Sequence, residues 1–311
     1  AKSADNTGCL IEHFGNADAV PQPPKRCLSR KAGIMRCCPN MREKIMIRVD
    51  SSKCMGCGQC AAICPTGNIQ IRGAKAEVLG NCMNCGHCYA ICPAQAVQMP
   101  PEAGCVAQEQ PDAARIEAAD FLQLVRSRRS IRKYKPRPVE GALLAEILEA
   151  GRYMATAGNA QSVRYLVIQK EAPRIQAAAW ESLRRVVETM QASPDASKNG
   201  YLATMQRILR RHDKDPKDDR LFFGAPVILL VLSPSVTDGP LAAASIELMA
   251  HASGLGALYC GFAQIAIARS EALCRELGIV PEQLRACLLL GYPNVKFLRT
   301  PPRKAAQVRW M

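Results

Sequence analysis

The chain has 311 residues, 48% of them hydrophobic, with 21 Gly, 21 Pro and a formal net charge of +14. That length fits one large domain or two ordinary ones, and the balance excludes collagen-like, disordered and coiled-coil classes. Cysteine is the outlier: 13 of the 16 lie at or before Cys105, and only Cys260, Cys274 and Cys287 follow.

Dense cysteine reads either as the disulfide scaffold of a small secreted domain or as metal or cluster ligation in a reducing cell. Residues 1–20 hold no apolar stretch of the kind a secretory leader needs. The longer apolar runs are interrupted, Leu221–Leu232 by Gly224 and Pro226, and Leu241–Ala268 by Glu247, His251 and three Gly. Neither suits a bilayer span. The expectation is a cytoplasmic, reduced protein with no membrane partner. Residues 1–45 carry net +4, residues 46–119 net −1 and residues 120–311 net +11, so the basic character belongs to the back of the chain.

In chain order, residues 1–45 cluster Pro21, Pro23 and Pro24 and keep no apolar period, which predicts a poorly ordered extension; its Cys37-Cys38 pair has no matching partner. Met46 opens an alternating strand through Asp50. Residues 46–100 hold an internal repeat: Cys54-x2-Cys57-x2-Cys60-x3-Cys64-Pro65 recurs 28 residues later as Cys82-x2-Cys85-x2-Cys88-x3-Cys92-Pro93. Each copy is followed by a short apolar stretch suited to a strand, Asn68–Ile71 and Ala96–Met99. Residues 101–119 read as a linker. From Asp120, a plausible helix cap, longer elements begin. Helical periodicity marks Leu143–Ala150, Ile175–Met190, Leu202–Leu209 and Leu241–Ser253. Strands are predicted at Val163–Gln169, at Val227–Leu232 (buried on both faces), just after Leu255-Gly256, and at Leu288–Gly291. Pro293, Pro301 and Pro302 then mark an extended C-terminal arm.

The doubled cysteine run carries the most chemistry. Cysteines at i, i+3 and i+6 on a tight loop converge on three corners of a cubane, and in two-cluster ferredoxins the fourth cysteine of each run ligates the other cluster. Residues 46–100 resemble bacterial two-cluster ferredoxins, with eight ligands present. The resemblance implies two [4Fe–4S] clusters, one on Cys54, Cys57, Cys60 and Cys92, the other on Cys82, Cys85, Cys88 and Cys64. Gly58 and Gly86 allow a close backbone wrap, and Pro65 and Pro93 end each loop without an N–H to satisfy. Four-cysteine zinc sites are the alternative, although they normally use two CxxC pairs.

Residues 126–137 hold seven basic side chains in twelve. Such a run is a solvated face, a nucleic-acid patch or a phosphate site. Aromatics at 5% and the lack of any recognition motif argue against nucleic acid. Here residues 120–311 resemble the FMN-dependent nitroreductase family. The resemblance rests on Arg128-Arg129-Ser130-Ile131-Arg132, Ala155–Ser162 with its Asn159-x-Gln161, Phe222–Val227, Ala252–Ala257 and Leu289–Pro293, in family order. It implies an α+β chain, a small two-cluster ferredoxin-type domain followed by a nitroreductase-like α/β sandwich with a central mixed sheet flanked by helices. It also implies a homodimer with FMN at the interface. By position, Arg128, Arg129 and Ser130 would hold the phosphate, and Arg132 would reach the pyrimidine edge of the ring. Asn159 and Gln161 would donate to the ring or ribityl chain. Tyr259, Cys260 and Gly261 would lie along the ring face, and Arg303 would close from the arm. The family's frequent Pro-Trp after Asn-x-Gln is replaced by Ser162-Val163, which leaves the substrate class open.

Together these imply an oxidoreductase in which clusters, fed by a ferredoxin or another low-potential donor, serve a flavin that reduces a small organic acceptor: a nitro compound, a quinone or an activated alkene. The flavin carries the chemistry, so no catalytic side chain is assigned. The competing expectations are a redox carrier or sensor that serves a protein partner, and another reaction of the fold such as reductive dehalogenation.

Overall fold

A computed structural model describes residues 47–80, 82–99, 116–194 and 200–311. The expected extension over 1–45, with Cys37 and Cys38, and most of the expected linker lie outside the described residues. The chain divides into two units, with the boundary between Gln110 and Pro111.

The first unit is built from one motif used twice. Helix α1 (Gln59–Ile63) and helix α2 (His87–Ile91) are each entered through a left-handed glycine, Gly58 at φ 78° and Gly86 at φ 76°. Each leaves through an extended cysteine, Cys64 at φ −69° and Cys92 at φ −72°. Strand β1 (Arg48–Val49) pairs antiparallel with β4 (Val97–Gln98), so the start of the unit closes on its end. Between the copies, β2 (Ile69–Arg72) and β3 (Lys75–Val78) form a two-residue hairpin on Gly73 and Ala74, both at positive φ as its tight turn demands. The buried core is small: Ile47, Ile69, Ala76, Ala96 and Val97, completed by Cys54, Cys60 and Cys88.

In the second unit the sheet runs β5 (Arg164–Ile168), β6 (Val227–Leu232), β8 (Leu284–Gly291) and β7 (Gly256–Tyr259), neighbour to neighbour. Its ladders are antiparallel, and a parallel bridge from Ser130 to Ala257 extends it past β7. β6 is buried at all six positions because both of its faces are covered. Ile228, Leu230 and Leu232 join one apolar cluster with α5 (Ala172–Gln191), α6 (Gly200–Lys214), α8 (Gly261–Ala268) and α9 (Glu271–Glu276). Val227, Leu229 and Val231 join the other, under α4 (Gly141–Arg152) and α7 (Asp238–Ala252). The period of two along a strand thus builds a helix–sheet–helix sandwich. The chain as a whole is α+β.

Some boundaries move. Helix α3 (Ala118–Ser127) starts after Glu117, so Asp120 sits in its first turn, where a carboxylate favours the helix dipole, and does not cap it. β8 starts four residues earlier than expected. Among the described residues no helix is long and apolar enough to cross a membrane.

Candidate functional site

The first unit offers two small cavities, of about 10 and 20 Å3. One is lined by Cys64, Cys82, Cys85 and Cys88, the other by Cys54, Cys57, Cys60 and Cys92. These are the two crossed quartets of the sequence reading: each cavity takes three thiols from one run and the fourth from the other. Each cavity is ringed by four thiols, the number a [4Fe–4S] cubane takes.

Backbone amides already point at the sulfurs. Ala76 donates to Cys54 Sγ at 3.4 Å and Asn84 to Cys82 Sγ at 3.3 Å. Asn68 donates to Cys64 Sγ at 3.2 Å and Ala96 to Cys92 Sγ at 3.3 Å. Such bonds favour thiolate and tune a bound cluster. The Ala76 amide lowers the Cys54 thiol, whereas burial pushes Cys88 up to about 11. Gly56 holds the first loop against the hairpin: a Cβ there would stand 2.2 Å from Ala74 O. The second copy has Asn84 at this place, at φ 51°, a residue that tolerates the left-handed region.

In the second unit the Arg128–Tyr134 segment is fastened along the sheet edge. Ile131 N–H donates to Ala257 O at 3.0 Å, Lys135 N–H to Tyr292 O at 2.8 Å, and the buried Tyr134 hydroxyl reaches Ile131 O and Leu289 O. Ile131 presses on β7 so closely that a Cβ on Gly256 would lie 2.5 Å from it. That contact explains the second glycine of Gly254-x-Gly256. A second device shapes the entry to β6: Asp219 accepts from the amides of Leu221, Phe222 and Gly224 at 2.8–3.1 Å and stabilises Phe223 at φ 57°.

The predicted residues separate into groups. Arg132, Tyr259, Cys260 and Gly261 line one cavity of about 910 Å3. Arg132 lies over the Phe223 ring at 5.9 Å, and Cys260 Sγ donates to Leu221 O at 3.1 Å. Burial raises the Cys260 thiol, and burial next to the Glu247 carboxylate raises the Tyr259 phenol. Arg129 stacks on Phe297 at 4.5 Å, and Ser130 forms the bridge to Ala257. Asn159 and Gln161 sit in a strained loop, at φ 53° and 46° beside Gly158 at 60°. Gln161 N–H donates to Thr156 Oγ1, and the Ala157 amide faces the Asp238 carboxylate at 3.4 Å. Arg303 donates to the carbonyl of its neighbour Pro302 and to no group of the Arg128–Arg132 segment.

Arg128 holds a surprise. Its Nη1 is bound to Glu247 Oε1 at 2.9 Å in a pair that is largely buried. One turn on, His251 Nε2 lies 2.9 Å from Ser127 Oγ. Burial raises Glu247, with Arg128 partly offsetting it, and burial beside Arg128 lowers His251. Sequence reasoning noticed Glu247 and His251 only as interruptions of an apolar run; their i, i+4 spacing on one helix face was the available signal. It quoted Phe223 within a motif but gave it no role, and it missed Asp219 and three further arginines of the large cavity, Arg207, Arg211 and Arg220.

Two sets of four thiols and an arginine-walled cavity beside the β7 edge of the sheet define a redox protein in two parts. Residues 125–292 match the nitroreductase family, and residues 46–93 match the 4Fe-4S dicluster domain. The chain belongs to the nitroreductase family, as an oxidoreductase carrying a two-cluster 4Fe-4S domain ahead of the family fold. Among solved structures it is similar to a nitroreductase with bound FMN from Desulfitobacterium hafniense DCB-2 (24% identity, 61% of this chain and 98% of that one, TM-score 0.47). It is also similar to a nitroreductase with bound FMN from Bacteroides fragilis NCTC 9343 (18%, 62% and 98%, 0.46), and to an iodotyrosine deiodinase bound to FMN and 3-iodo-L-tyrosine (20%, 61% and 98%, 0.42). No curated relative matches the chain.

Proposed function

We propose that this chain is an iron–sulfur flavoprotein in which electrons pass through two [4Fe–4S] clusters to an FMN site where a small organic acceptor, such as a nitro compound, quinone or activated alkene, is reduced. The observation that carries the reading is the pair of thiol quartets, each around its own cavity, in one chain with a nitroreductase-family unit. Clusters handle single electrons, and FMN, when bound, supplies the two-electron step.

The donor set suits FMN. Arg129 and Arg132 have no carboxylate partner among the described residues, and Ser130 is fixed beside them at the sheet edge. Glu247 engages one amino group of Arg128 and orients a fork whose other N–H groups remain for phosphate. Arg132 places positive charge where a reduced, anionic ring needs it. Asn159 and Gln161 supply amides to the ring or ribityl chain, Tyr259, Cys260 and Gly261 wall the ring face, and Arg303 is the arm's contribution. Exposed Phe121, Leu122 and Val125 on α3, with Leu298 and Trp310 on the arm, favour a homodimer. A ferredoxin or another low-potential protein is the fitting donor, and the cytoplasm the fitting compartment for open thiol quartets.

Anaerobic purification should give about eight irons and about one FMN per chain. In stopped flow, donor-driven flavin bleaching should slow by at least about tenfold in Cys57→Ser, which opens one cluster. An unchanged rate would mean that the clusters do not feed the flavin.

A further inference from the structure

We propose that the large cavity of the second unit is built for an aromatic or conjugated carboxylate, so that the acceptor is an organic anion. This rests on the flavin reading above and names the substrate class of that site.

The observation is a charge imbalance. The cavity is walled by Arg132, Arg207, Arg211 and Arg220 and by no acidic residue. Arg207 and Arg211 stand one turn apart on α6, a like-charge spacing that weakens a helix unless something else compensates. Arg211 and Arg220 share one carboxylate: Asp218 accepts the Nε–H of each at 2.5 Å. That pairing leaves their terminal amino groups for another acceptor. Arg207 has no hydrogen bond or ion pair among the described residues. The chain therefore gathers more cations here than it can neutralise, in a concave site where charge attracts ligand strongly.

Two features select the kind of anion. A guanidinium fork matches a carboxylate through two parallel N–H···O bonds. The remaining walls mix aliphatic and aromatic side chains: Ile208, Leu258 and Ile265 line the cavity, Tyr201 and Phe262 meet edge to face at 6.1 Å and 78°, and Phe223 lies under Arg132. Rings in that arrangement accept a planar molecule. The flavin ring shares this cavity through Arg132, Tyr259, Cys260 and Gly261, but Arg207, Arg211 and Arg220 are not among the residues assigned to the cofactor, and those assigned to its phosphate, Arg128, Arg129 and Ser130, do not line the cavity.

Calorimetric titration of the oxidised, FMN-loaded protein with benzoate and with benzamide separates charge from shape. Benzoate should bind at least about tenfold more tightly. Arg207→Gln should erase that margin while leaving benzamide binding and FMN content unchanged. Arg184→Gln, which breaks the Arg184–Asp213 pair on the surface, should change neither. Raising salt from about 0.05 to about 0.5 M should weaken benzoate alone. In turnover with chemically reduced protein, 4-nitrobenzoate should surpass its methyl ester mainly through a lower KM. Equal affinities, or a margin that survives Arg207→Gln, would overturn the proposal; so would loss of FMN from that variant, which would give the arginines to the cofactor. A chain that binds no FMN yet keeps the benzoate margin would sink the flavin reading and leave the anion site standing.

Discussion

The two units solve stability in opposite ways. The second buries β6 at all six positions between two apolar clusters, and its core includes Phe222, Ile147, Ile175 and Leu183 with almost no exposed surface. The first buries a few aliphatic side chains and closes its core with cysteines, on short strands and helices of five residues. A unit of that size ordinarily needs a staple. Here the thiols that complete the core are the ones that line the cavities, so the same residues serve chemistry and folding.

The hardest test of that contrast is removal of iron. With the clusters chelated out of the whole protein, amide protection across residues 47–99 should vanish, while protection over β5, β6 and β8 stays as it was, because ligand binding is folding free energy only for the first unit. Matching losses in both units would break the comparison. Next in size is Gly56→Ala. Its Cβ would collide with the backbone of Ala74 at a positive φ of 71°, so a loss of about 4 kcal/mol is expected, seen as iron-poor protein. Its counterpart Asn84→Ala puts an alanine at φ 51° and removes the Oδ1 that accepts from Cys82 Sγ at 3.3 Å, and should cost about 1–2 kcal/mol.

In the second unit the matching blow is Leu229→Ala in β6. It leaves a cavity under α4 and α7 and should cost about 3 kcal/mol, or a fall of roughly 6–12 °C in Tm for a unit of this size. Iron content should be unaffected. Loss of clusters in this variant would mean that the two units do not stand independently.

What could be read from sequence follows the same division. The expected cluster ligands are encoded locally, by spacing within twelve residues, and their expected crossing needs only the repeat; each cavity is lined by three cysteines of one run and the fourth of the other. The double burial of β6 was legible too, as an unbroken apolar run. The helices over residues 261–276 were not, since a short apolar run reads equally as helix or strand. β8 hid its first half behind Arg285, whose guanidinium is turned aside to Ser233 O and Pro234 O at 2.8 Å. The α6 arginines were given no role, because a run such as Arg207, Arg210 and Arg211 carries no mark of which members face a cavity; only the fold makes that choice.

The smallest expected effect concerns Glu247, and it sharpens the contrast inside the second unit. Two carboxylates there shift in opposite directions. Glu140, exposed and bonded by the Tyr292 hydroxyl and Arg137, is lowered to about 2, so its contribution is present above the ordinary glutamate range and is lost as pH falls toward 2. Glu247 is raised, because burial opposes its charge more than Arg128 supports it. A raised carboxyl takes up a proton more readily in the folded state, so its contribution is full below the ordinary value of 4.5 and declines as pH rises through the folded value. Denaturation of the FMN-loaded protein between about pH 4 and pH 7 should therefore show wild type gaining on Glu247→Gln as pH falls, with the margin closing above the raised value. Tyr292→Phe should do the reverse, losing ground to wild type as pH rises from about 3 to about 5. If Glu247→Gln instead lost most at neutral pH, the Arg128 pair would outweigh burial, and Arg128 would be held by charge and not by packing.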